Sequence, residues 1–311
     1  MKETEFGYIK WIRKHLRYKA DVLIGSGDDC AAIKLPDNNL LYATTDTIVE
    51  DVDFNLRSAT PEQIGYKSVA VSLSDLAAMG VGYSKIYALV TASLPKRFSE
   101  SLFTHPLFQG MNRICKQFGV RIIGGDISST KGPVTITSTL LGIGNKLKPI
   151  TRSGASVGDA ILVTGKLGGS ILGKHLYFTP RLNEARLFNQ RYKINAMIDI
   201  SDGLSADLNH ILEASEVGAM IDESSIPISP DAVKLSKKSR KSVLQHALTD
   251  GEDFELLFTA SMEEAIKIIH DNTLKKIPIN IIGLIRKEKG IFLCNRNGKL
   301  VKIKPEGFRH F

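Results

Sequence analysis

Five short acidic stretches, each set among glycine, serine or threonine, punctuate the chain between residues 27 and 203. They are Gly27-Asp28-Asp29, Thr44-Thr45-Asp46-Thr47, Ser72-Leu73-Ser74-Asp75, Gly124-Gly125-Asp126 and Asp199-Ile200-Ser201-Asp202-Gly203. Carboxylates are hard oxygen ligands, better suited to Mg²⁺ or Mn²⁺ than to zinc or copper. Small neighbours let a polyanion approach the backbone, where amide N–H groups receive it. Because carboxylates repel phosphates unless cations stand between them, the economical reading is a fold that gathers these stretches around several divalent ions and a nucleotide. Such a site serves phosphoryl transfer or a related ATP-using reaction. Taken singly, each aspartate has a plainer reading: Asp28 or Asp29 as a turn holder, Asp75 as a cap or pair on a helix, Asp202 as an N-cap. Their combination at the ends of predicted elements is what points to a ligand site.

A length of 311 residues suits two α/β domains. With 43% hydrophobic and 24% charged residues the chain reads as globular and ordered. Its apolar runs are too short and too broken for a membrane-spanning helix, and Met1-Lys2-Glu3-Thr4-Glu5 lacks the form of a signal peptide, so no membrane association and a cytoplasmic location are expected. Cys30, Cys115 and Cys294 are far apart, which supports neither a disulfide framework nor a zinc ribbon. The formal charge of +8 peaks at Lys234 to Lys241, read as a solvated helix face. No helix-turn-helix or RNA-binding aromatic motif accompanies it, so no nucleic-acid partner is expected; a basic surface instead helps gather small anions.

The pattern predicts an amphipathic first helix carrying Phe6, Ile9, Ile12 and Leu16, and a strand over Leu40–Val49. Thr60-Pro61-Glu62-Gln63 is a capping box with proline at the first helical position, opening a helix that ends near Gly80. Strands are expected at 85–94, 120–123 and 134–143, the second delivering Gly124-Gly125-Asp126 from its C-terminal end. Between the first two, a helical stretch disturbed by Pro106 runs to Gly119. A polar loop over 145–159 marks the boundary between domains 1–148 and 149–311. The second half is read as strands at 160–163, 197–200, 254–259, 279–285, 291–293 and 300–303. A helix capped by Asp202 or Ser205 stops near Gly218, and Ser261-Met262-Glu263-Glu264 forms a second capping box. Helices and strands intermix without βαβ regularity, so the expected class is α+β.

Gly165-Lys166-Leu167-Gly168-Gly169-Ser170 lacks the spacing of a phosphate loop and is read as a strand-to-helix turn. The protein-kinase signatures are absent as well. The residues instead resemble the thiamine-monophosphate kinases of the aminoimidazole-ribotide-synthetase-like ATP-binding superfamily. Seven motifs carry the resemblance in family order: Gly27 to Ala31, Thr45-Asp46-Thr47, Ser72 to Gly80, Ile123 to Asp126, Thr151 to Gly154, Ile198 to Leu204 and Gly251 to Leu256. The similarity extends to the tail Gly307-Phe308-Arg309-His310-Phe311. It implies ATP-dependent phosphorylation of thiamine monophosphate to the diphosphate, in a homodimer whose N-terminal domains build a shared β-barrel. By motif, Asp29, Thr44, Thr45, Asp46, Asp75, Asp126, Asp199 and Asp202 are the implied Mg²⁺ ligands. Gly125, Asp126, Arg152 and Ser201 are the implied ATP contacts, with Asp126 and Arg152 the catalytic pair. Glu252 and Phe308 are implied to hold the thiamine portion.

The implied nucleophile, a phosphate oxygen with a second pKa of ~6, needs no general base at neutral pH. Two positions depart from the family pattern. Asp53 stands where the family usually has a substrate-contacting histidine; its charge suits the thiamine cation and repels its phosphate. Phe108 stands where a nucleotide-contacting tyrosine is usual, keeping the stacking face and losing the hydroxyl. Among the alternatives, the selenophosphate enzyme's N-terminal reactive residue is missing, and Phe311 replaces the C-terminal cysteine of the hydrogenase-maturation enzymes. Other superfamily synthetases and a non-catalytic Mg-nucleotide module stay open on the residues alone.

Overall fold

A computed structural model describes residues 4–36, 39–98, 101–144, 147–274 and 276–309. The Phe6 side chain, Asn145, His310 and Phe311, all singled out from sequence, lie outside the described residues. The first half builds a six-stranded sheet from β1 (Val22–Ile24), β2 (Ala31–Lys34), β3 (Leu40–Val49), β4 (Tyr83–Pro95), β5 (Val120–Thr130) and β6 (Thr135–Gly144). The spatial order is β1-β2-β3-β6-β4-β5, antiparallel except for β4 against β5. That parallel pair is joined through α3 (Ser101–Phe118), as a parallel connection requires. β1 and β2 were not legible, being short segments beside the Gly-Asp-Asp turn. Pro106 does not break α3, which runs continuously through it. β5 also runs further than expected: Gly124, Gly125 and Asp126 lie inside the strand, not beyond its end.

One face of this sheet packs against α2 (Pro61–Ala78), because Ile136 and Leu140 alternate inward to meet Ile64, Val69, Leu73 and Leu76. The capping box predicted for α2 forms: Thr60 Oγ1 accepts the Gln63 N–H at 3.3 Å, and Gln63 Oε1 accepts the Thr60 N–H at 2.7 Å. α2 and α3 cross at close range through glycine. A Cβ on Gly65 would stand 1.9 Å from the Leu107 carbonyl oxygen, and one on Gly110 1.9 Å from that of Glu62. The opposite sheet face carries no covering element among the described residues. β1 and β5 are open edges, so a single chain forms no closed barrel. α1 (Glu5–His15) forms as predicted, yet Ile9 and Leu16 stay exposed instead of packing into a core.

The second half forms a seven-stranded mixed sheet. Its members are β7 (Ala160–Thr164), β8 (Ile194–Asp199), β9 (Gly218–Asp222), β10 (Leu256–Ala260), β11 (Ile279–Arg286), β12 (Gly290–Cys294) and β13 (Leu300–Ile303), in the order β13-β12-β9-β11-β7-β10-β8. β7 and β10 are buried on both faces, hence their mostly apolar runs, in which Thr164 and Thr259 are the polar residues. α6 (Leu204–Ser215) and α8 (Val243–Thr249) cover one face; α5 (Leu182–Arg191) and α9 (Met262–His270) cover the other. α5, α8 and the short α4 (Lys174–Tyr177) were not foreseen, and neither was the strand β9; α7 (Pro230–Ser236) takes in only the start of the run expected to be helical. The basic run is helical only to Ser236 and continues as an exposed turn. Ser261 caps α9 by accepting the Glu264 N–H, but the Glu264 carboxylate bonds Lys193 N–H and Lys267 instead of returning to Ser261. A complete capping box occurs instead at Ser242 and Gln245, opening α8. The last turn of α2 reaches the second sheet: Ala77 joins Ile150 and Met197 in one apolar cluster, bringing the two halves together beside Asp75.

Candidate active site

Side-chain alternation on β3 decides the first part of the site. Thr44 and Asp46 point to the α2 face of the sheet, whereas Thr45 and Thr47 point to the open face. α2 presents Ser72, Ser74 and Asp75 toward the same place from its last turns. The Gly27-Asp28-Asp29 turn enters β2 beside them, and Asp199 closes the set from the end of β8 in the other half. One carboxylate oxygen each from Asp29, Asp75 and Asp199 lie within 4.8 Å of one another. Thr44 donates its hydroxyl to Asp75 Oδ2, and Ser74 Oγ donates to Asp199 Oδ2 at 2.5 Å. A single guanidinium answers these charges: Arg152 Nη2 donates to Asp29 Oδ1 at 2.7 Å, and the Arg152 backbone N–H to Asp28 Oδ2 at 3.2 Å.

The cluster is short of positive charge. Burial, then repulsion from Asp29, pushes the Asp28 carboxyl up to about 6 and that of Asp199 up to about 7. Burial, then Asp46 and Asp199, holds the Asp75 carboxyl well above the usual carboxylate range; Asp46 is raised as well, mainly by burial. Asp29 Oδ2 and Asp46 Oδ2 are buried without a hydrogen-bond partner among the described residues, and so is Arg152 Nε. Buried carboxylate oxygens with no donor are costly unless a cation meets them. The donor set is all oxygen and hard, which fits Mg²⁺ or Mn²⁺.

Two expected ligands stand elsewhere. Thr45 Oγ1 lies 3.0 Å from Thr139 Oγ1 on the open face. Ser93 and Ser128 meet at 2.8 Å on that face, which places Asp126, two residues before Ser128, there too. Asp126 is exposed, and β5 is three strand spacings from β3, or ~14 Å across the sheet. Within one chain Asp126 and Thr45 therefore do not join the acidic cluster. Gly125 has a φ of +155°, and a Cβ there would strike the Val90 carbonyl oxygen at 1.8 Å, so the strand passes only with glycine.

Asp202 lies in a second group with Asp207 and His210, again within 4.8 Å. Neither Asp202 nor Ser205 caps α6. Asp207 Oδ2 accepts the N–H groups of Asp202 at 3.1 Å and Gly203 at 3.0 Å, and that role was not read from sequence. Ser205 instead fastens the tail, donating to the Glu306 carbonyl at 2.5 Å and accepting its N–H at 3.1 Å. The Phe308 N–H then donates to the Asp202 carbonyl at 2.9 Å, leaving the ring 42% exposed beside the Asp202 turn.

Glu252 and Phe254 hold positive φ angles of 64° and 48°, sparsely populated for side chains of this size and common at functional sites. The Glu252 N–H donates to the Ser201 carbonyl at 2.6 Å, joining two of the motif segments. The Glu252 carboxylate accepts from Lys67 Nζ, a contact the sequence reading missed; its only signal is a cation inside the apolar stretch of α2. Asp53 Oδ2 accepts the Val49 N–H at 2.7 Å, so this carboxylate braces its own turn. Phe108 lies on the outer face of α3, 55% exposed, away from its buried neighbour Leu107. The Gly165 to Ser170 loop is the structural turn expected. Asp253 takes the Gly168 N–H at 2.8 Å and the Ser170 hydroxyl, occupying with an internal carboxylate the place of an anion.

Known proteins share both the sequence and the arrangement. The N-terminal domain of the AIR synthase related proteins matches residues 27–144, and their C-terminal domain matches residues 152–278. A thiamine-monophosphate kinase of Rhodopirellula baltica is 37% identical over 98% of this chain and 97% of its own. Another, of Buchnera aphidicola subsp. Acyrthosiphon pisum, is 38% identical over 100% of both. The chain belongs to the thiamine-monophosphate kinase family. A solved structure of AaThiL complexed with AMPPCP and TMP superposes with a TM-score of 0.84 at 31% identity, covering 99% of this chain and 97% of that one. Thiamine-monophosphate kinase membership accounts for the ordered acidic motifs and for the two mixed α/β halves.

Proposed function

We propose that this protein transfers the γ-phosphoryl group of ATP directly to the phosphate of thiamine monophosphate, giving thiamine diphosphate and ADP. The observation that carries the reading is the convergence of Asp29, Asp75 and Asp199, from three distant motifs, around buried oxygens that lack donors. Family relatives named for this reaction, and a matching fold solved with AMPPCP and TMP, support it.

Asp29, Thr44, Asp46, Asp75 and Asp199, joined by Asp202 from the neighbouring group and by Asp126 through pairing of two chains, would hold Mg²⁺, whose charge screens the two polyanions from each other. Arg152 is oriented by Asp28 and Asp29 and keeps a buried, unpaired Nε for the charge that develops on the transferred group. Gly125, Ser201 and Phe108 are the further ATP contacts. The acceptor phosphate is already ionised near neutrality, so positioning suffices and no side chain must remove a proton. Glu252 meets the cationic ring of the substrate, and Phe308 offers it a π face.

The division falls at 1–148 and 149–311, and the active form is a homodimer in which the open sheets of two chains complete a barrel. The exposed edge strand β5, with Ile127 79% exposed, supports this. Pairing would also bring Asp126, too far from the cluster of its own chain, toward that of its partner. No described helix is long and apolar enough to cross a membrane, and we place the reaction in the cytoplasm.

Incubation with Mg-ATP and thiamine monophosphate should yield thiamine diphosphate and ADP in equal amounts, with thiamine and aminoimidazole precursors left unchanged. ATP binding without product would favour a non-catalytic nucleotide module, and turnover of a precursor alone would favour a synthetase.

A further inference from the structure

We propose that Lys67 is a positioning residue for the substrate end of the site, its ammonium clamping the Glu252 carboxylate to the turn that carries Asp53. The inference rests on the reading of Glu252 as the group that meets the cationic substrate ring. Lys67 is 0% exposed, on the α2 face turned away from solvent. Its Nζ donates to two acceptors from separate parts of the chain, Glu252 Oε1 and the backbone carbonyl of Asp53. A lysine is almost never buried completely unless it is paired, and an apolar residue at this place would pack without either bond. The contact also spans the molecule: α2 belongs to the first sheet and Glu252 to the loop that enters β10 of the second. Glu252 sits at a φ of +64°, so its backbone alone does not favour the conformation that aims its side chain.

The surrounding charges show why a cation is needed there. Burial pushes the Glu252 carboxyl upward, Lys67 pulls it back, and Asp53 pushes it up again. His175 on α4 feels Lys67, but burial drives its imidazole down to about 4, so it is neutral and does not replace the ammonium. With Lys67 removed, burial and Asp53 act on Glu252 without opposition. The carboxyl then takes up a proton at a higher pH and ceases to attract a cation below that pH.

The test compares Lys67→Met, Lys67→Gln, Glu252→Gln and the Lys67→Met/Glu252→Gln pair in the full-length protein. Lys67→Met should raise KM for thiamine monophosphate on the order of ten-fold at neutral pH while kcat stays within about two-fold, the pattern of a lost ground-state contact. The rise should steepen as pH falls, a dependence that a loosened helix would not create. The double variant should match Glu252→Gln alone, with its pH dependence gone. If Glu252→Gln raises KM and the Lys67 variants fold with a wild-type KM, the proposal is overturned while the substrate reading stands. If Glu252→Gln leaves KM unchanged, both fall. Glu252→Asp keeps Lys67 and withdraws the carboxylate by one methylene. It too should raise KM, and a wild-type KM there overturns the proposal whether or not the Lys67 variants fold.

Discussion

At Asp75 the fold holds a carboxylate that ordinary side-chain partners only half satisfy. Thr44 donates to it, while Asp46 and Asp199 repel it in a buried setting. Removing that charge should have opposite effects on activity and on stability. Asp75→Asn is expected to lower turnover at least ~10²-fold while raising the melting temperature of the metal-free protein, because repulsion is relieved where a ligand is lost. Melting curves with and without Mg²⁺, read beside activity, check it; a fully active variant would remove Asp75 from the site. Asp53 is a different case. Its carboxylate accepts the Val49 N–H, a bond that a side-chain amide oxygen reproduces. Asp53→Asn should therefore keep both stability and KM near wild type, whereas Asp53→His should lose about 1 kcal/mol in denaturant unfolding. From sequence Asp53 reads as a candidate substrate contact that departs from the family pattern, and here its carboxylate braces its own turn. What it holds depends on the turn it sits in, which residue identity does not reveal.

Among the elements, α2 carries the most consequence. Its face toward the sheet supplies core, its last turns supply Ser74 and Asp75, and its middle supplies Lys67. The Thr60 box and the apolar spacing made this helix legible, since capping and periodicity are local properties. Its close crossing with α3 is not local: two glycines 45 positions apart face each other's backbone partners. Gly65→Ala would drive a methyl into the Leu107 carbonyl, and a loss of ~2 kcal/mol or more is expected in chemical denaturation, with a lower midpoint and an unchanged slope. β5 taught the converse lesson. Gly124 and Gly125 read as a strand terminus, yet the strand continues because the parallel pairing with β4 overrides local preference and Gly125 fits against Val90.

For the whole molecule, the acidic cluster couples ionisation to folding. Asp28 and Asp199 have carboxyls raised to about 6 and about 7, above their ordinary value of 3.8. The folded protein therefore binds more protons than the unfolded chain between these limits, and the metal-free protein should lose stability as pH rises from about 4 to about 7. Divalent cations should reverse that fall, with a larger thermal shift at pH 7.5 than at pH 5.5; a shift independent of pH would show that these groups do not meet the ion. Assembly is tested at β5: Ile127→Asp on the exposed edge should convert a dimer to monomer in sedimentation and abolish turnover together. Two α/β halves, the strands β3 and β13, the first-turn chemistry of α2 and the acidic motifs were all readable in the chain, because periodicity, capping and residue type act over a few positions. Which aspartates share a pocket was decided only by the tertiary structure. Strand alternation turned Thr44 and Asp46 toward α2 and left Thr45 and Asp126 on the far face, and burial without enough positive charge set the ionisation of those brought together. Those outcomes depend on distances between segments 31 to 125 residues apart, and no short stretch of sequence encodes them.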